Sequence, residues 1–333
     1  SAEYVCSLLY RVPLGTIWGS EVSGHPEQTE EKIIGRPDLG RLNQGEEVVV
    51  WSHFVLLHPK IVDEINRLPE TKQSMILDGV DRGNWEYLND SVINREYCLF
   101  ATANYQDGGT NSIIARLIDR FDIMVESKHP GPNLAFHIGM TGANRSGLRD
   151  EELEEGLHRV LNQRGSYEDR MDQAEELCSQ FGEVLTRGPG VQTLSRSDRE
   201  TIRSQMDEIP FDVDANAFLR LVLSELSFCY HYGQRRFHEG CAEGCHFTSY
   251  LCNAVRNCIS NRFPKSARTL SQALAWFLGD EQVGLEHLRA ILPFTLAHRI
   301  QWKEETLARR EKESRQDPLP IYMAKEAVRE MHR

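Results

Sequence analysis

The segment Ile61-Val62-Asp63-Glu64-Ile65-Asn66-Arg67 puts two adjacent carboxylates directly after a short apolar run. Open α/β sheets bind their ligands outside the carboxyl ends of the strands, so an acid pair delivered there is placed to act on one. Asp63 can hold a magnesium ion through a hard oxygen, and Glu64 can polarise a water molecule. The alternative is an ordinary strand end with solvated acids. A second grouping lies further along the chain. Cys229, Cys241, Cys245, Cys252 and Cys258 are interleaved with His231, His238 and His246, whereas Cys6, Cys98 and Cys178 are scattered. The spacing Cys241-x-x-x-Cys245 suits a zinc knuckle, and Cys229, Cys241, Cys245 and Cys252 are the expected ligands of a structural zinc. A helical hairpin with buried thiols and solvated histidines explains the same residues, as does redox chemistry.

The elements that must position the acids can be read from apolar periodicity. Val5, Leu8 and Leu9 lie at helical spacing, so the chain is expected to open inside a helix. Residues 46–51 (Glu46 to Trp51) and Lys60-Ile61-Val62 read as strands, and 70–82 as a helix. Residues 97–104 read as a buried strand ending in Asn104, 111–119 as a helix, and 121–126 as a further strand. Alternating strands and helices predict an α/β fold. The Pro/Gly stretch 129–133 ends that pattern and puts the domain boundary near residue 150. Beyond it the chain reads as helical at 150–186 and at 214–228, the latter with Phe218, Leu219, Leu221, Val222 and Leu226 on one face. Two more helices follow, one facing inward through Leu270, Ala273, Leu274 and Phe277, the other through Leu285, Leu288, Ile291 and Leu292. The tail 301–333 reads as a charged, solvated helix interrupted by Pro318 and Pro320.

Composition narrows the function. Of 333 residues, 38 are Lys or Arg and 50 are Asp or Glu, a net charge of −12 that disfavours a surface built to grip nucleic acid. The basic runs Arg235-Arg236 and Arg309-Arg310-Glu311-Lys312 are flanked by acids and read as solvated faces. No apolar stretch approaches the length needed to cross a membrane, and the first residues lack the basic start of a secretory signal. A cytoplasmic protein is expected, and a long acidic chain of this kind keeps its thiols reduced.

Four ordered motifs resemble the AAA+ ATPases, and within them the MoxR-like group: IVDEINRLPETKQSMILDGVDRG (61–83), FATANY (100–105), ARLIDRFDIMVE (115–126), and the pair FPKSARTLSQALAWFL (263–278) and LRAILPFTLAHRI (288–300). The resemblance covers about 45–126 and 205–300. It implies an AAA+ α/β core, a parallel sheet flanked by helices, over 1–149. An all-α linker and lid over 150–300 would follow, with 229–258 as a Cys/His-rich insertion and 301–333 as a tail. It also implies roles. Asp63 would be the Walker B acid on the magnesium side and Glu64 the acid that activates the attacking water. Asn104 would be sensor 1, contacting that water or the γ-phosphate. Arg120 would be the arginine finger that reaches a neighbouring subunit's nucleotide, and Arg268 the sensor 2 arginine that touches the γ-phosphate. The residues themselves leave alternatives: Asn104 as a cap, Arg120 paired with Asp119 or Asp122, Arg268 as a surface arginine. Glu46 to Trp51 resembles the β-hairpin insertion of this group, which can face a ring's pore, and reads equally as a scaffold strand.

One departure matters: no G-x-x-x-x-G-K-[ST] phosphate loop occurs in the chain, and Lys60 and Lys72 lack the glycines. SAEYVCSLL resembles the helix that follows that loop, which predicts a chain truncated just after it and binding ATP poorly as it stands. The expected full-length protein is an ATP- and magnesium-dependent ATPase. By resemblance it works as a hexameric ring with chaperone-like action on a von Willebrand factor A domain protein. The competing expectation is a non-catalytic assembly module with a zinc-stabilised lid.

Overall fold

Pro59-Lys60-Ile61-Val62 is buried at every position and Asp63 is exposed, the burial pattern of a strand flanked on both sides. The computed structural model describes residues 2–94, 96–104, 115–128, 130–140, 145–163, 165–229, 234–235, 250–313 and 317–332. Within them the contacts divide the chain into two units. One comprises 1–114 and 129–199, the other 115–128 and 200–333.

The first unit begins with helices α1 (Ala2–Tyr10) and α2 (Leu14–Ser20), followed by strands β1 (Val22–Ser23), β2 (Gly35–Pro37) and β3 (Val49–Trp51). A short helix α3 (His53–Leu56), strand β4 (Pro59–Asp63), helix α4 (Glu70–Arg82), strands β5 (Asn84–Tyr87), β6 (Asp90–Ile93) and β7 (Cys98–Ala101) complete the α/β part. The central sheet is parallel in the order β1-β4-β7, with Val22 opposite Val62 and Val62 opposite Ala101. The expected strand at 46–51 is β3, which pairs antiparallel with β2 outside that sheet. The strand at 97–104 is shorter and half-buried: it ends at Ala101, three residues before Asn104.

Local chemistry explains the elements beside the acids. Helix α4 begins after Pro69 with Glu70 in its first turn, and Gly83 in the left-handed conformation (φ 62°) stops it. Lys60 is fully buried in the middle of β4, where its ammonium donates to the carbonyls of Phe54, Val55 and Leu57 at the end of α3. Burial alone would push that ammonium down to about 7, and the three carbonyls oppose the loss of its proton.

Helices α5 (Glu151–Leu161) and α6 (Tyr167–Arg187), in the stretch expected to hold the linker and lid, have their contacts within this unit. Each starts on a side-chain cap, Asp150 accepting from Leu153 N–H and Ser166 from Asp169 N–H. Leu157, Val160, Ala174 and Cys178 bury their apolar faces against Cys6, Tyr10, Ile17 and Ile61, so both helices form the sheet's core with α1.

The second unit is mainly helical: α7 (Val213–Ser227), α8 (Arg262–Leu278), α9 (Leu285–Leu296), α10 (Glu304–Glu311) and α11 (Leu319–His332), with the short helix Ala115–Ile118 ahead of them in the chain. Its core joins Phe218, Val222 and Leu226 to Phe263, Ala267, Leu288, Leu292 and Leu296. Three expectations are corrected here. The tail is not solvated throughout, because α11 buries Ile321, Met323, Ala324, Ala327, Val328 and Met331. Helix α8 buries Phe263, Ser266, Ala267, Ser271 and Ala275, while Phe277 is 78% exposed. Residues 121–126 form no strand: Met124 N–H bonds to the Phe294 carbonyl at 3.0 Å, and the carbonyls of Phe121 and Asp122 are taken by Arg299. Those groups are then not available to a sheet ladder.

Candidate active site

Asp63 and Glu64 emerge at the carboxyl end of β4, the central strand, between the ends of β1 and β7, the end of a parallel sheet at which ligands bind. The backbone turns sharply there. Glu64 adopts the left-handed conformation (φ 50°, ψ 51°), a strained choice for a residue with a side chain. Thr102, one residue past the end of β7, holds that turn. Its hydroxyl accepts from Glu64 N–H at 2.8 Å and donates to Asp63 Oδ1 at 2.6 Å. Its N–H donates to the Val62 carbonyl at 3.0 Å and its carbonyl accepts from Ile65 N–H at 2.9 Å. On the other side Gly24 N–H donates to the Asp63 carbonyl at 2.6 Å, and a Cβ at Gly24 would lie 1.9 Å from the Glu64 carbonyl oxygen. Only glycine lets β1's continuation approach so closely.

The carboxylates differ in their surroundings. Asp63 is exposed and anchored through one oxygen, the state in which a carboxylate can accept a hard cation. Nearby, the Glu21 carboxyl is raised above its ordinary range mainly by burial, with Glu3 and Asp63 adding to the rise and Lys32 opposing it. Glu64 pairs with Arg67 at 3.0 Å, one turn onward. Asn104 is exposed, and its backbone carbonyl accepts from the buried Asn66 side chain at 2.8 Å, which ties the segment after β7 to the segment after β4. Asp63, Glu64 and Asn104 therefore share one end of one sheet. Arg120 and Arg268 lie in the helical unit. Arg268 is exposed in the second turn of α8, donating to Gln272 at 3.3 Å. Asp119, a candidate partner of Arg120, is engaged by Arg299 and Arg262.

Thr102 and Gly24 join the site only through the fold. The position of Thr102 inside FATANY was the available signal for the first; the second had none, since a glycine in a polar loop is unremarkable until its neighbour is known. In the Cys/His interval, Cys229 is half-buried and Cys252 buried, while Cys241 and Cys245 lie outside the described residues. Among the described residues no group of three or more His, Cys, Asp or Glu is arranged to hold a metal ion. No helix among them is long and apolar enough to cross a membrane.

Comparison with known proteins bears on the fold. Residues 260–321 match the AAA lid domain family. The structure is similar to the crystal structure of "a putative ATPase" from Cytophaga hutchinsonii, with a TM-score of 0.61 and 16% identity over 96% of this chain and 80% of that one. At that identity the likeness is one of fold. No curated protein matches the chain. The fold is that of the AAA+ ATPases: a parallel sheet with flanking helices and a helical region that carries an AAA lid.

Proposed function

We propose that this protein is a MoxR-like AAA+ ATPase that turns ATP hydrolysis into remodelling of a partner protein. The observation that carries the reading is the Thr102 bridge, which fixes an exposed Asp63 and a strained Glu64 at the end of the central parallel strand. The residues present fit magnesium: an exposed hard carboxylate with one oxygen anchored by the Thr102 hydroxyl. Asp63 would hold the ion, which when bound with nucleotide supplies the positive charge that phosphoryl transfer needs. Glu64 would orient a water molecule and receive its proton, and Asn104 would position the same water from the neighbouring strand end. Arg268 would contact the γ-phosphate from the lid, and Arg120 would serve the site of an adjacent copy in a hexameric ring. A cytoplasmic setting, a von Willebrand factor A domain client and a structural zinc on Cys229, Cys241, Cys245 and Cys252 complete the proposal.

Magnesium-dependent ATP hydrolysis tests it, assayed on this chain, on the polypeptide extended upstream of Ser1, and on each with Glu64→Gln. Turnover abolished by Glu64→Gln supports the ATPase. The second reading, a non-catalytic assembly module, is favoured by one fact, the lack of a glycine-rich phosphate loop within these 333 residues. Complete absence of turnover in folded protein, extended or not, would select it.

A further inference from the structure

His298 and Arg299 close the lid motif LRAILPFTLAHRI, and both side chains engage the segment around Arg120. The Arg299 side chain is 1% exposed. Its Nη2 donates to the carbonyls of Phe121 at 2.6 Å and Asp119 at 3.2 Å. Nη1 donates to the carbonyl of Asp122 at 3.1 Å and to that of Thr295, in the last turn of α9, at 2.6 Å; Nε faces Asp119 Oδ1 at 3.3 Å. His298 Nε2 donates to the Phe121 carbonyl at 2.9 Å. Serine straps add to this: Ser260 Oγ donates to Asp119 Oδ2 and Ser266 Oγ to Asp122 Oδ1, both at 2.6 Å. Burying a guanidinium is costly unless its donors are met. Here three carbonyls on the two sides of one residue, Arg120, meet them together with the Asp119 carboxylate, the Thr295 carbonyl and the Ser266 hydroxyl.

We propose that Arg299 is the positioning residue for Arg120. It fastens the peptide units flanking Arg120 to α8 and α9, so that the Arg120 guanidinium is presented by the lid unit and follows the lid when that unit moves. Lid state in one subunit would then set the charge supplied to its neighbour's nucleotide. The inference rests on the ATPase reading above.

Arg299→Lys keeps a charge but loses the planar fork. Assayed alone in the catalytically competent protein, it should lose at least tenfold in turnover, as Arg120→Ala should. Mixed with excess Glu64→Gln protein, whose Arg120 is properly held, it should regain turnover, because its own intact Glu64 then faces a well-placed arginine. A merely structural defect would not be restored by mixing. Ser266→Ala, which removes one strap and little volume, replaces Arg299→Lys if the latter fails to fold. Wild-type rates for the variants alone, or losses that mixing does not restore, overturn the inference while leaving the ATPase intact. Absence of turnover in the unaltered protein overturns the ATPase reading and this inference with it.

Discussion

The Thr102 hydroxyl donates to the Asp63 carboxylate at 2.6 Å while it accepts the backbone N–H of Glu64 at 2.8 Å. One side chain thus fixes the direction of the first acid and the backbone that launches the second. Left-handed backbone at a residue with a Cβ costs about 1–2 kcal/mol, and the Thr102 bonds offset it locally.

Thr102→Val keeps the side-chain shape and removes the hydroxyl, leaving Glu64 N–H without its acceptor and Asp63 without its anchor. Turnover should fall about 10- to 100-fold, the range expected when a residue that orients a metal-side ligand is lost. The magnesium concentration for half-maximal rate should rise, and Thr102→Ser should retain most activity. A magnesium titration of the three proteins measures this, and equal rates for Thr102→Val and wild type would refute the role.

Gly24 packs its missing side chain against the Glu64 carbonyl, where a Cβ would lie 1.9 Å away. Backbone carries that contact, so no side-chain rotation relieves it. Gly24→Ala should cost about 2 kcal/mol or more in the α/β unit, in the upper part of the usual single-substitution range. Thermal melts compare it with Gly19→Ala as the control, since nothing lies within 4 Å of a Cβ there. An unchanged melting temperature for Gly24→Ala would contradict the close approach.

The acid pair and its strand were legible because the apolar pair Ile61-Val62 stops at charge, and Asp63 is where burial ends. Helix α4 was legible from the apolar periodicity of residues 70–82. What was misread depended on partners far along the chain. Phe121-Asp122-Ile123-Met124 has strand-like composition, yet Arg299, 177 to 178 residues away, claims its carbonyls. The face of α8 was misjudged because Ser266 and Ser271 point inward although they are polar, with Ser266 bonded to Asp122. Helices α5 and α6 look like lid helices by composition, and only their packing on Ile61 assigns them to the sheet. Periodicity reports that a face is buried, not against which element.

His298 is a pH-sensitive part of the helical unit. Burial and the neighbouring Arg299 cation push its imidazole down from 6.5 to about 4, against smaller opposing effects of Asp119 and the carbonyls of Phe121 and Phe294. The folded state therefore binds fewer protons than the unfolded chain between those values. Stability contributed by neutral His298 is complete above about pH 6.5 and is lost as pH falls toward 4, by about 3 kcal/mol at 1.4 kcal/mol per unit. Urea titrations at pH 7, 5.5 and 4.5 should reveal that decline, and His298→Gln should flatten it. An identical slope in His298→Gln would assign the acid sensitivity to other groups.

The C-terminal helix α11 offers the sharpest contrast between composition and packing. Its charged residues suggest a solvated tail, but Val328 is 4% exposed in a core with α7 and α9, and Arg329 beside it is exposed. Val328→Asp places an unpaired carboxylate among apolar side chains, which costs several kcal/mol or forces the helix out of the core. Arg329→Ala removes only a surface pair with Glu326, the kind of interaction worth about 0–1 kcal/mol. The expected result is a large loss of helical-unit stability for Val328→Asp with hydrogen exchange reaching α7 and α9, and near-neutral behaviour for Arg329→Ala. If both substitutions were equally harmless, α11 would not be part of the core. The lid would then be bounded near α9 rather than sealed by the last residues of the chain.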